Sequence, residues 1–203
     1  MRIDSSDVGV PESSVSIYEA IFGRRNVKEF TGEPVSDETL ERMFSAAIWA
    51  PNHRLTNPTR FFTIRKDSEL RKKIAETAWQ TAYDGVVNPN PDQKKRSADA
   101  SRDRVLNAPA MTYVYSLPGD NEEVTQENYA TSCCAVHNMA LAAFAEGLSI
   151  DWSTGGLTRL PELSQTLGAD EDWTMVGVVF AGKPTEIPST QRTSHSEVVT
   201  WLE

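Results

Sequence analysis

With 203 residues, 39% of them hydrophobic, the chain is long enough to bury one sizeable core. Its formal net charge of −9 argues against nucleic acid or an anionic membrane as the main partner, because like charges repel. No run of about 18 apolar residues offers a membrane span.

In chain order, residues 1–14 are polar and rich in Ser and acids, which reads as a loose arm. Arg2, Asp4, Asp7 and Glu12 interrupt any apolar stretch of the signal-peptide kind, so a cytoplasmic protein is expected. One domain is expected over residues 15–203. Val15, Tyr18, Ala20, Ile21 and Phe22 suggest a first helix. Ser36 then caps a second, with Asp37 and Glu38 suited to its N-terminus, apolar positions at Leu40, Met43, Phe44, Ala47 and Ile48, and an end near Pro51. Residues 61–65 are compact, aromatic and β-branched, hence a strand. Ser68 caps a helix running to about Tyr83.

Asn88-Pro89-Asn90-Pro91 is a breaker. Residues 92–106 carry much charge and little apolar face, so they read as a solvated helix or a mobile cover. Residues 111–117 alternate as a strand. Residues 124–147 form a long Ala-rich helix with Cys133, Val136, Met139, Ala140, Ala143 and Phe144 facing inward, its small residues permitting close packing against a second subunit. Residues 149–152 and 175–181 complete four strands interleaved with helices, which makes the class α+β or α/β. The only cysteines, Cys133 and Cys134, are adjacent and exclude a disulfide scaffold.

The familiar catalytic signatures are missing. There is no G-x-G-x-x-G between strand and helix, no Walker loop and no G-x-S-x-G elbow. His53, His137 and His195 lack metal-ligand spacing, and the cysteines are not C-x-x-C. An enzyme built this way needs a bound organic cofactor for its chemistry.

Three blocks supply a resemblance. The run Arg24-Arg25-Asn26-Val27-Lys28-Glu29-Phe30, followed by Pro34-Val35-Ser36, resembles the opening of the nitroreductase family, where R-R-S-x-R/K-x-F/Y precedes P-V-S/T. Ala50-Pro51-Asn52-His53, continuing to Pro58-Thr59-Arg60-Phe61, resembles the A-P-N/D-H-x-x-x-x-P-W-R-F block of a short-chain branch. Trp152-Ser153-Thr154-Gly155-Gly156, then Asp172-Trp173, Gly182-Lys183-Pro184 and Arg192, resembles the C-terminal half. The resemblance implies an α+β, three-layer α/β/α sandwich around a mixed, largely antiparallel sheet, dimeric, with FMN as cofactor and NADH or NADPH as electron donor.

By the same resemblance Arg24, Arg25 and Asn26 line the FMN phosphate and ribityl chain, with Asn26 in place of the usual serine. Arg192 joins them, and guanidinium donors match phosphate oxygens well. Lys28 matches a basic position near flavin N1 and O2, where a cation favours reduction. Trp49 and His53 match positions that reach FMN held mainly by the other subunit, and Trp152, Ser153 and Thr154 match a loop beside the flavin ring. Leu55 and Thr59 depart from the Asn and Trp of longer-chain members, and the proline-acid pair of some relatives is missing from the glycine loop.

Each feature also has a plainer reading. An Arg-Arg pair is commonly a solvated patch, a lone His an ordinary loop residue, Trp152 a core residue, and Gly155-Gly156 a turn. Cys133 and Cys134 suit packing better than redox work. Two functions follow: hydride transfer from NAD(P)H through flavin N5 to a nitroaromatic, quinone or activated alkene with no side chain as obligatory acid or base, or a flavin-binding carrier or sensor without turnover.

Overall fold

A computed structural model describes residues 12–87 and 90–203. The predicted arm up to residue 11, and Asn88-Pro89 of the breaker, lie outside them. The helices are α1 (Ile17–Gly23), α2 (Asp37–Ala47), α3 (Glu69–Gly85), α4 (Pro91–Asn107), α5 (Glu122–Ala145), α6 (Leu163–Leu167) and α7 (His195–Val198), and the strands are β1 (Thr59–Thr63), β2 (Ala110–Ser116), β3 (Ser149–Ser153) and β4 (Thr174–Gly182). Single-turn 3-10 helices stand at His53–Leu55 and Gly156–Thr158.

The starts of the main helices are written in side-chain oxygens. Ser36 accepts from the Thr39 amide, Ser68 from that of Arg71 and Asn121 from that of Val124, each satisfying a donor that the first helical turn leaves free. Ser16 and Glu19 cap each other's backbone N–H at the head of α1.

The sheet runs β1-β2-β4-β3, with every neighbouring pair antiparallel. The mixed, largely antiparallel sheet that the resemblance implies is borne out: its described strands all pair antiparallel, and the parallel element is an isolated bridge between Asn26 and Ile150. β1 begins two residues ahead of the expected strand because Thr59 pairs with Ser116. Ile64 still donates to the Met111 carbonyl at 2.9 Å.

Helices cover both faces. On one, Leu40 and Met43 of α2 and Val136 and Met139 of α5 pack against Val114, Ile150 and Val179. On the other, Ile74, Ala75 and Ala78 of α3 and Val105 of α4 pack against Met111, Tyr113, Val178 and Phe180. The alternation holds through a bulge opposite Val114, where Gly177 lies under Trp152. A Cβ there would stand 2.4 Å from the indole Nε1. The charged run 92–106 is not a freely solvated face, since Ala98 and Val105 are wholly buried and Val105 joins the cluster between α3 and the sheet.

Arg71 fixes how α4 meets the sheet. Its fully buried guanidinium donates from Nε to the Val105 carbonyl at 2.7 Å, from Nη1 to that of Ile64 at 3.1 Å and from Nη2 to that of Ala108 at 2.6 Å. With these carbonyls as its hydrogen-bond partners, burial pushes its pKa down to about 10. Arg71→Met leaves three acceptors without this donor and is expected to lower the unfolding free energy by about 3 kcal/mol or more. Urea denaturation measures it, and an unchanged midpoint would show that the carbonyls find other partners.

Candidate functional site

The site begins where α1 stops. A Cβ at Gly23 would lie 2.5 Å from Cζ of Phe144, so a larger residue would have to displace the Phe144 ring for α1 to sit this close to α5. Arg24 then turns extended, with ψ of 141°, and the chain runs along the outer edge of β3. There the Val27 amide donates to the Ile150 carbonyl at 2.9 Å. Val27 points into the core, while Asn26 and Lys28 on either side of it are exposed.

Arg24 and Arg25 stay half-buried at the end of α1. Arg25 Nη1 donates to the carbonyls of Phe22 and Arg24 at 2.7 and 2.8 Å, but the buried Nε atoms of both arginines have no partner. Burial lowers the pKa of Arg24, and so do the charges of Arg192 and Arg25. His137 of α5 is lowered in turn by burial and by Arg24. Four nitrogen bases thus meet with mutual repulsion, an arrangement that a phosphate would relieve. The donor set fits the phosphate end of FMN.

Asn26 belongs to a second network. Its Nδ2 donates to Asp151 Oδ1 at 2.6 Å and its Oδ1 accepts from the Trp152 amide at 2.6 Å. Asp151 is 2% exposed and also accepts from Arg104 Nη2 of α4, whose guanidinium lies 4.8 Å over the Phe180 ring. Sequence reasoning missed Asp151 and left Arg104 on a solvated run. A lone acid between Ile150 and Trp152 on a half-buried strand was the available signal.

Lys28 lines two cavities. One of about 360 Å³ also has Phe30, Asp103, Arg104, Asp151 and Phe180 in its wall. The other, about 290 Å³, has Asn26, Glu29, Thr185, Glu186 and Pro188.

The remaining expected residues are placed differently. Trp152 is half-buried and its Nε1 donates to the Val176 carbonyl at 3.1 Å, so its ring is engaged in packing. Ser153 is half-buried and Thr154 exposed. The glycine turn is closed by Thr158, whose amide and hydroxyl donate to the Gly155 carbonyl at 3.0 and 2.8 Å. Arg192 is exposed, reaching the cluster through its charge on Arg24.

Trp49 is 51% exposed beside a groove shared with Val15, Ile17 and Ala20. His53 is exposed at the head of a loop with positive φ at Arg54, Leu55 and Asn57. Asn52 donates to Asn57 at 2.8 Å, Thr56 to Asn128 at 2.6 Å and Arg54 to Glu127 at 3.0 Å. Within one chain neither Trp49 nor His53 joins the Asn26–Asp151 network. Leu55 is 79% exposed, and the Thr59 hydroxyl is paired with that of Ser132 at 2.9 Å. Burial pushes the Cys133 thiol up, consistent with packing. Among the described residues no group of His, Cys, Asp and Glu is placed to hold a metal ion.

Helices on both faces of an antiparallel sheet define an α+β protein, with a cluster of cationic side chains at the sheet's edge. The nitroreductase family model matches residues 21–183, and the chain belongs to that family. The Bacillus subtilis protein named "Putative NAD(P)H nitroreductase YfhC" is 24% identical over 87% of this chain and 88% of its own length. A nitroreductase-like family protein of Bacillus cereus superposes with a TM-score of 0.80 at 26% identity, covering 95% of this chain and 99% of that one. A Desulfovibrio desulfuricans protein solved in complex with FMN gives a TM-score of 0.70 at 24% identity over 94% and 99% of the two chains.

An anion beside Arg24 should be visible at His137. The folded-state pKa of this ring lies below its ordinary value, so its neutral form prevails to lower pH than in the unfolded chain and stability falls as pH drops through that window. A bound phosphate favours the protonated ring. The His137 pKa is therefore expected to rise on FMN addition, and affinity to increase as pH falls through the same range. An NMR titration of the imidazole C–H signals, with His137→Gln for assignment, reads this. An identical pKa with and without FMN places the phosphate elsewhere.

Proposed function

We propose that the chain is an FMN-dependent NAD(P)H oxidoreductase acting on a small organic acceptor such as a nitroaromatic, quinone or activated alkene, in one domain over residues 15–203. FMN held by these residues would supply the redox chemistry that links NADH or NADPH to the acceptor. The observation that carries this reading is the cluster of Arg24, Arg25 and Arg192, with two buried guanidinium nitrogens left unpartnered in a chain of the nitroreductase family.

The residues divide the work by position. Arg24 and Arg25, half-buried at the end of α1, would bind the phosphate with side chains already near one another, and the exposed Arg192 would close over it. Asn26 faces the adjoining ribityl chain with its amide orientation fixed. Lys28 lines both cavities, where its positive charge would stabilise the negative charge of a reduced flavin. Ser153 and Thr154 border the ring with hydroxyls and backbone.

A homodimer completes the site in this reading. Ile17, Tyr18 and Phe22 of α1, Ile48 and Trp49 after α2, and Leu55 are all large, apolar and exposed, more than isolated surface residues require. A second copy that covers them would bring Trp49 and His53 to its neighbour's flavin. No described helix is long and apolar enough to cross a membrane, and an enzyme using NAD(P)H acts in the cytoplasm in this proposal.

Purified protein reconstituted with FMN should show flavin absorption maxima that bleach anaerobically with NADH or NADPH. Bound flavin that neither donor reduces would instead mark a flavin carrier or sensor, and protein that retains no flavin would refute the reading. Arg24→Gln removes a charge-assisted contact and is expected to weaken FMN binding by about 10- to 100-fold, read by fluorescence titration. Sedimentation should give a dimer.

A further inference from the structure

Asp151 is the one carboxylate in the described site that touches both the cradle strand and the cover helix. It is nearly inaccessible, at 2% exposure, and neither oxygen is idle. Oδ1 takes the Asn26 amide at 2.6 Å, and Oδ2 takes Arg104 of α4.

The polarity of these contacts matters. A free asparagine amide can flip, exchanging donor for acceptor. Here the carboxylate demands a donor on one side and the Trp152 N–H demands an acceptor on the other, the latter also at 2.6 Å, so one orientation alone satisfies both. Arg104 has a matching constraint, with Phe180 beneath its guanidinium at 4.8 Å. The cavity of about 360 Å³ bounded by Lys28, Arg104 and Asp151 lies between the two elements that Asp151 ties together.

We propose that Asp151 is a positioning residue for the flavin site: through Asn26 it fixes which amide atoms face the cofactor, with Arg104 of α4 holding the carboxylate in place for that contact. The proposal rests on the reading of residues 24–28 as the FMN cradle. Asp151 itself does not touch the cofactor. Its effect reaches FMN through the orientation of Asn26, so the contribution of Asp151 should vanish when Asn26 is replaced.

A double-mutant cycle tests this in the full-length protein with FMN as the probe. Asp151→Asn keeps the side-chain size but removes the charge that holds Arg104 and lets the new amide turn either way toward Asn26. It is expected to raise the FMN Kd about tenfold, since charged hydrogen bonds are among the stronger ones, and to change the visible circular dichroism of the bound flavin. Asn26→Ser should weaken binding alone, and Asp151→Asn added to it should cost less than a further twofold. The melting temperature of the flavin-free variants separates folding from positioning. A lowered melting temperature with an unchanged FMN Kd and unchanged dichroism assigns Asp151 to packing and overturns the proposal. Additive losses in the cycle overturn it too, because Asp151 would then act independently of Asn26. Wild-type protein that takes up no FMN overturns the cradle reading along with it, whereas wild-type binding matched by Asp151→Asn overturns only the role of Asp151.

Discussion

The site depends on one short stretch of backbone, residues 24–28, lying along the outer edge of β3. An edge strand presents unpaired N–H and C=O groups, and this protein covers them with its own chain. The Asn26–Ile150 bridge does more than shield the edge. An extended chain alternates its side chains, so fixing Val27 in the core commits Asn26 and Lys28 to the opposite side. The same contact leaves Arg24 and Arg25 at the end of α1, where α5 and the C-terminal segment add His137 and Arg192. The proposed cradle, tuning cation and anion seat thus all follow from a single register.

The acid surface and the cationic site are compatible because they act over different distances. A net charge of −9 is spread over the molecule, and salt screens exposed charges beyond about 10 Å at 0.1 M. Within the cluster the repulsion between half-buried guanidinium groups is screened much less. Local geometry therefore decides what binds, and the overall charge mainly favours solubility.

Much of the fold was legible in the sequence, since its determinants are local. Ser36, Ser68 and the apolar spacing of α2 and α5 announced helices, alternation announced β2, and short apolar runs ended by glycines marked β3 and β4. The two shortest helices, α6 and α7, left no periodicity to read. Arg24, Arg25, Asn26 and Lys28 were found by motif, which says where a residue stands in a family pattern without saying what holds it. Asp151 escaped because its partner Asn26 is 125 positions away. Arg71 and Arg104 are helical arginines of a kind usually solvated, and only the packing of α3 and α4 against the sheet buries the first and half-buries the second. Trp152 shows the converse, a motif residue whose ring is committed to the bulge at Gly177.

The strand order also sets when the sheet can close. β4 lies between β2 and β3 and pairs with both, Ala110 meeting Ala181 and Ser149 meeting Gly182, yet it is the last strand made. On the ribosome the antiparallel β1–β2 pairing and the helices can form early, but β2 keeps an open edge of unpaired backbone groups and β3 has no strand neighbour until β4 emerges. Pairings so distant in sequence are slow to form and leave edges exposed meanwhile. The growing chain therefore carries its greatest aggregation risk just before residues 174–182 appear, and a ribosomal pause upstream of them would prolong it.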